Sequence, residues 1–322
     1  TFTVSNITSP YTNFKTSVYD GSQFIYATNQ SNIVRVNTLT DAFNDISGHS
    51  ILTSIIFTTS KSLGIGSSVY VSDQNILYKI DAFDVTMPSA YISHNIGQVP
   101  LFTPFGSNFI LGTDKVYLNS NVTPIYQQVT ALSTYNSNVI IGTSNSLIVG
   151  DTTCGDFNFQ GYWSRGTFGT SDSKSDAVGN YFLGSSYVYD TLGNSWTTVI
   201  GDAYKIILEN SNVIALPSTN STAYNVFDNS QSYVVSSPNT IAKYINGFLY
   251  SSSTSSSVLI RSRVNEISPQ YTVAPYAMGH IEEYNSNVFF FPSSGNVVVL
   301  HNTSALTFNS SNAKPENMPV SD

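Results

Sequence analysis

A short unit recurs eight times along the chain: a polar turn, an apolar strand, then a second strand that ends near an Asp or Asn. The first half of the unit reads "DGSQFIYAT", "IGSSVYVSD", "FGSNFILGT", "YNSNVIIGT", "VGNYFLGSS", "ENSNVIALPS", "INGFLYSSS" and "YNSNVFFFPS". The Asp or Asn markers stand at Asn37, Asp81, Asn119, Asp151, Asp190, Asp228, Asn265 and Asn302. Their gaps are 44, 38, 32, 39, 38, 37 and 37 residues. In five copies an aromatic residue follows the marker by six: Phe43, Phe157, Trp196, Tyr271 and Phe308. Asp228 reaches Tyr233 after five, and "LYKIDAFDVTMPSAY" and "VYLNSNVTPIY" are looser copies.

A fixed period near 38 residues, with about four short strands per period, is the pattern of an all-β propeller in which each repeat is one blade. Eight blades are expected, or seven if one of the loose copies is not a blade. The polar turn between the first two strands supplies the positive φ that Asn and Gly tolerate. The marker is expected to bond loop N–H groups, and the aromatic to pack between neighbouring blades. The segment "TFTVSN", residues 1–6, reads as a strand that closes the ring on the last blade. Residues 1–311 then form a single domain, and residues 312–322, polar with two prolines, form a tail or linker.

The stretch "YVYDTLGNSW" resembles the kelch repeat, in which Tyr-Asp is followed by Trp six residues after the Asp. The full match covers one blade. The paired glycines of that repeat are replaced by "LGSS" and "IGTS", so the resemblance implies a kelch-like propeller architecture rather than a particular kelch family. A sialidase-type Asp box fits poorly, because "DTLGNSW" has one residue too many between Asp and Trp.

Charged residues make up 10% of the 322, and the net charge is -8. Ser and Thr supply about a quarter of the chain. Disorder is excluded by 21 Tyr and 19 Phe, which would not stay solvated. With 12 Lys and Arg and no basic cluster, neither nucleic acid nor an anionic membrane surface is an expected partner. No apolar run approaches 18 residues. The one cysteine, Cys154, forms no internal disulfide. A surface of uncharged hydrogen-bonding groups loses little stability when carboxylates protonate. In this respect the composition resembles that of secreted and virion proteins of thermoacidophilic archaea. The start at Thr1 rather than Met points to a processed or trimmed N-terminus.

The longest irregular stretch, residues 154–176, brings Tyr162, Trp163 and Arg165 close in sequence. Aromatic rings beside an Arg can stack on a sugar or another flat ligand, and the alternative is a pair of aromatics packed inward on an outer strand. "GHIEEY" places His280 and Glu282 on one face of a strand. On the innermost strand of the last blade they would line the central channel. One His and one Glu are too few for a metal site, so no metal and no cofactor are expected. His49, His94 and His301 belong to no motif. Sequons occur at Asn6, Asn29, Asn121, Asn220, Asn302 and Asn309, a number that chance explains at this Ser and Thr content. They become acceptors only if the chain passes through a glycosylating export route.

The sequence holds no G-x-S-x-G, HExxH, Walker or Rossmann motif. The leading expectation is a non-enzymatic extracellular propeller, structural or adhesive, on a virion or cell surface, with protein partners. A glycan-binding propeller is the first alternative. The second is a secreted hydrolase or lyase that uses a carboxylate such as Asp156 or Glu282.

Overall fold

A computed structural model gives 32 strands among the described residues, β1–β32, between Thr3 and His301. It describes the backbone of these strands and, from residue 128 onward, many of the turns between them. Side chains are described for most of residues 128–150, 176–272 and 277–300. The strands form eight four-stranded antiparallel sheets.

Seven sheets are consecutive meanders that begin at β2 (Thr16–Tyr19), β6 (Lys61–Ile65), β10 (Leu101–Phe105), β14 (Val129–Tyr135), β18 (Ser175–Val178), β22 (Ala203–Glu209) and β26 (Thr240–Ile245). The eighth runs from β30 (Met278–Tyr284) through β31 (Asn287–Pro292) and β32 (Val297–His301), then takes β1 (Thr3–Ile7) as its outer strand. The closing register pairs Thr3 with His301 and Ile7 with Val297. The first strands of successive sheets touch in sequence, and β2 touches β30, so they form a closed inner ring. The protein is therefore a β-propeller. The expected seven-blade alternative does not describe these eight sheets.

The eight polar-turn-plus-strand segments all become second strands, for example β15 (Asn138–Thr143) and β19 (Tyr181–Gly184). Such a strand is covered by sheets on both faces, which is why it reads as an unbroken apolar run rather than an alternating one. The turns before them use the left-handed region, with φ of 53° at Asn136, 54° at Gly179, 75° at Ser211 and 50° at Asn246. Core side chains fall between consecutive blades. Phe182 and Tyr189 of blade five pack with Ile140 and Leu147 of blade four. Phe248 and Leu259 of blade seven pack with Phe290 and Leu300 of blade eight. Full burial of each such side chain is worth about 1.5–3 kcal/mol relative to exposure.

Gly142 marks the tightest approach in this packing. A Cβ built there would lie 2.4 Å from Cε2 of Phe182 and 3.0 Å from Cβ of Ala131. Between blades six and seven the abundant hydroxyls work inside the protein. Ser251 Oγ accepts from Ser236 N at 3.1 Å, and Ser262 Oγ donates to the Val234 carbonyl at 2.8 Å. A neutral hydrogen bond contributes about 1 kcal/mol without the desolvation cost of a buried charge.

Among the described residues the markers of blades five, six and seven differ. Asp190 ends β20 (Tyr187–Asp190), and its Oδ1 accepts from Leu192 N at 2.9 Å and from Asn180 Nδ2 at 2.7 Å, which ties the outer hairpin to the first turn of the blade. In blade six this part is played by Asn225, the last residue of β24 (Thr222–Asn225), whose Oδ1 accepts from Phe227 N at 3.1 Å. Asp228 lies further into the loop and holds Ser230 N at 3.1 Å. In blade seven β28 (Val258–Ser262) ends before Asn265, which instead reaches the neighbouring blade and accepts from Ser232 N at 2.9 Å. Asp228 and Asn265 thus are not equivalents of Asp190. The aromatics differ as well. Trp196, on β21 (Ser195–Thr198), stays 36% exposed and packs on Tyr189 of its own blade with ring centroids 4.2 Å apart. At that exposure Trp196 does not fill a gap between blades as expected. Tyr233 does so, buried and edge-on to Tyr244 of blade seven at 6.1 Å.

Candidate functional site in the central channel

Among the described residues each first strand pairs within its sheet with the second strand alone, and its other edge faces the channel. On one such edge a side chain from the preceding blade takes part: Ile206 N of blade six donates to Asp176 Oδ2 of blade five at 3.0 Å. Beside it, the Tyr204 hydroxyl donates to the Thr240 carbonyl of blade seven. Burial, helped by the Asp176 charge, pushes the Tyr204 phenol up to about 12.

Although only 10% of the chain is charged, the inner strands of blades five to eight carry Asp176, Lys205, Glu209, Lys243, Glu282 and Glu283. Lys243 Nζ and Glu282 Oε2 are 3.2 Å apart and link blades seven and eight. The Lys243 side chain is 40% exposed, so the pair contributes about 0–1 kcal/mol.

A cavity of about 370 Å³ opens between these four strands. Asp176, Lys205 and His280 supply its polar wall, and Ile207, Ile241 and Ile281 are among its apolar lining. The ladder between β30 and β31 shifts register between Met278 and His280, leaving Gly279 at the wall. A Cβ at Gly279 would meet nothing within 4 Å, so this backbone faces open space. Among the described residues no three His, Cys, Asp or Glu side chains group closely enough to hold a metal ion.

The residues singled out in the sequence lie apart. His280 and Glu282 are on the innermost strand of blade eight; His280 lines the cavity, and Glu282 is engaged by Lys243. Tyr162 and Trp163 lie on β17 (Asn158–Ser164), the outer strand of blade four, opposite Ile148 and Leu147. Arg165, Cys154, Asp156, His49 and His94 lie outside the described residues, and His301 ends β32. Among the sequons, Asn220 is exposed in the loop before β24, Asn6 sits within β1 opposite Val298, and Asn121 begins β13 (Asn121–Pro124). Asn29, Asn302 and Asn309 lie outside the described residues, and so does the aromatic Phe308.

Sequence reading missed Asp176, Lys205 and Lys243. Their only signal is a position shortly before the polar turn of each repeat. It also missed a set of exposed apolar side chains. Leu192, Phe227, Val264 and Ile267 lie in the loops between the third and fourth strands of blades five, six and seven, with exposures of 57%, 46%, 44% and 97%. These loops share a face of the ring with the first turns, as the Thr191 N to Asn180 carbonyl bond (3.0 Å) and the 5.4 Å contact of Tyr181 with Phe227 show.

Neither a scan of protein-family models nor a search of curated proteins gives a match. Solved structures do resemble the chain. The computationally designed Ika8 protein superposes with a TM-score of 0.67 at 11% identity, covering 90% of this chain and 96% of that one. The WD40 domain of Neurospora crassa Pan2 gives 0.57 at 11% identity, covering 93% and 96%. Virginiamycin B lyase from Staphylococcus aureus gives 0.55 at 9% identity, covering 93% and 99%. At such identities the likeness is one of fold.

Proposed function

We propose that this propeller is a non-enzymatic scaffold that makes protein–protein contacts, as a structural or adhesive component of a virion or cell surface outside the cell. The observation that carries this reading is the row of Leu192, Phe227, Val264 and Ile267 on one face of three adjacent blades. Exposed apolar side chains gathered on one face are the kind of surface that a protein partner covers. The low-charge surface supports the extracellular placement, since it depends little on carboxylate ionisation. The kelch-like character rests on Tyr189, Asp190 and Trp196 of blade five.

The test is cross-linking mass spectrometry on native particles or cell envelopes, followed by the triple variant Leu192→Ser, Phe227→Ser, Ile267→Ser. Cross-links from this face to another surface protein are expected, and the variant should keep its Tm but lose assembly. Assembly unchanged in a folded variant, or an intracellular location for the native protein, contradicts the reading.

A glycan-binding role is the second reading. Tyr187 and Trp196, 38% and 36% exposed on adjacent outer strands of blade five, are the aromatics that favour it. Glycan-array binding that disappears in Trp196→Ala would favour it over the first.

A further inference from the structure

Blades five to seven carry two kinds of loop. Those between the second and third strands read "SS", "STNS" and "TSSS", with neither a charge nor a large apolar side chain. Those between the third and fourth strands read "TLGN", "VFDNSQ" and "RVNEISP". They expose Leu192, Phe227, Val264 and Ile267, and with Asp190 at the end of β20 they add Asp228 and Glu266. The loops are joined across blades. Phe227 packs on Tyr181, and Asn265 N donates to the Ser232 carbonyl at 2.7 Å. The three carboxylates are held by neutral donors, which fix the charges in place without cancelling them. Asp190 accepts from Leu192 N and Asn180 Nδ2, Asp228 from Ser230 N and Gln231 Nε2, and Glu266 from Arg263 N at 2.7 Å. The single cation of these loops, Arg263, has its guanidinium over the Phe248 ring, 4.4 Å from the centroid.

We propose that this face docks a segment of another protein that carries Lys or Arg beside apolar side chains, an inference that rests on the protein-contact reading above and adds the partner's chemistry. The segment's apolar side chains cover Leu192, Phe227, Val264 and Ile267, and its cations meet Asp190, Asp228 and Glu266. Charge complementarity selects this occupant. A second copy of the chain, with a net charge of -8 and the same three carboxylates on this face, would set like charges against each other. An anionic lipid surface or a nucleic acid is disfavoured in the same way. The apolar contacts supply affinity, and the carboxylates supply partner choice and a salt-dependent association rate.

The experiment is calorimetry of the whole chain with three short capped peptides as probes: Leu alternating with Lys, Leu with Glu, and Ser with Lys. The Leu–Lys peptide is expected to bind at least about tenfold more tightly than either of the others, and to weaken between about 0.02 M and 0.2 M salt. The double variant Asp228→Asn, Glu266→Gln keeps an oxygen for Ser230 N and Arg263 N. It should weaken the Leu–Lys peptide at least about threefold in low salt. It neutralises two of 20 acidic side chains, so a diffuse attraction to the whole chain would barely change. Ile267→Ser alters a side chain that is 97% exposed, so the fold is not at stake, and it should also weaken binding. No Leu–Lys binding at about 1 mM, equal binding of the three peptides, or binding unchanged in either variant overturns the proposal. Native particles separate this inference from the reading it rests on. Assembly lost in the apolar triple variant but kept in the charge variant overturns the basic segment and leaves the protein contact standing. Assembly kept in both overturns both.

Discussion

Asp190 and Asp228 look alike in the sequence, and the structure separates them. Asp190 joins two turns of its blade through Leu192 N and Asn180 Nδ2. Asp228 organises only its own loop, where the bonds from Ser230 lower its pKa. Asp190→Ala is therefore expected to cost about 1–3 kcal/mol in urea unfolding, the range for partners left unsatisfied, and Asp228→Ala clearly less. Equal losses would contradict the assignment. Glycine gives a second contrast. Gly142→Ala drives a methyl into Phe182 and should cost about 1–3 kcal/mol, whereas Gly279→Ala meets no neighbour and should leave the Tm nearly unchanged. The spacing of six residues from polar marker to aromatic could not separate these cases. It records that a loop of similar length follows the third strand, and loops of similar length are closed by different side chains.

The second strand of each blade was legible because its environment is extreme. Among the described residues, in blades four to seven, it is buried and preceded by a turn that places Asn, Gly or Ser in the left-handed region. "YNSNVIIGT" and "YNSNVFFFPS" carry that demand in nearly the same letters. First strands have a mixed environment, one edge paired and one facing the channel, so "SDAV", "AYKIILE" and "MGHIEEY" share no pattern. That is why Asp176, Lys205 and Lys243 went unread while His280 and Glu282, adjacent in one motif, did not. The outer strand of blade eight comes from the N-terminus, and the element makes a direct prediction. Deleting residues 1–7 removes the partner of β32 and exposes its edge. The Tm should fall by more than about 10 °C, equivalent to several kcal/mol, and the truncated chain should associate. An unchanged, monomeric truncation would mean that β1 does not hold the ring.

At the scale of the whole molecule, the pH response follows from the neutral groups at the blade interfaces. Folding keeps Tyr204 and Tyr233 protonated, because burial is the largest cause of the raised pKa in both. Their contribution is complete below the ordinary phenol value of 10.0 and is lost as pH rises through the folded value, about 12 for Tyr204. The Tm should hold toward acid, where few paired carboxylates are at stake, and fall above about pH 10. A steep loss between neutral pH and about pH 4 would show that ionised carboxylates carry the fold after all. The sheets form a ring closed by the pairing of β1 with β32. Ser5 lies opposite Val299 across the closure, so Ser5→Cys with Val299→Cys, in a Cys154→Ser background, places two thiols on paired backbones. The closed ring predicts an intramolecular disulfide that forms readily in the folded monomer and raises the Tm. Thiols that stay reduced, or that link only between molecules, would contradict it.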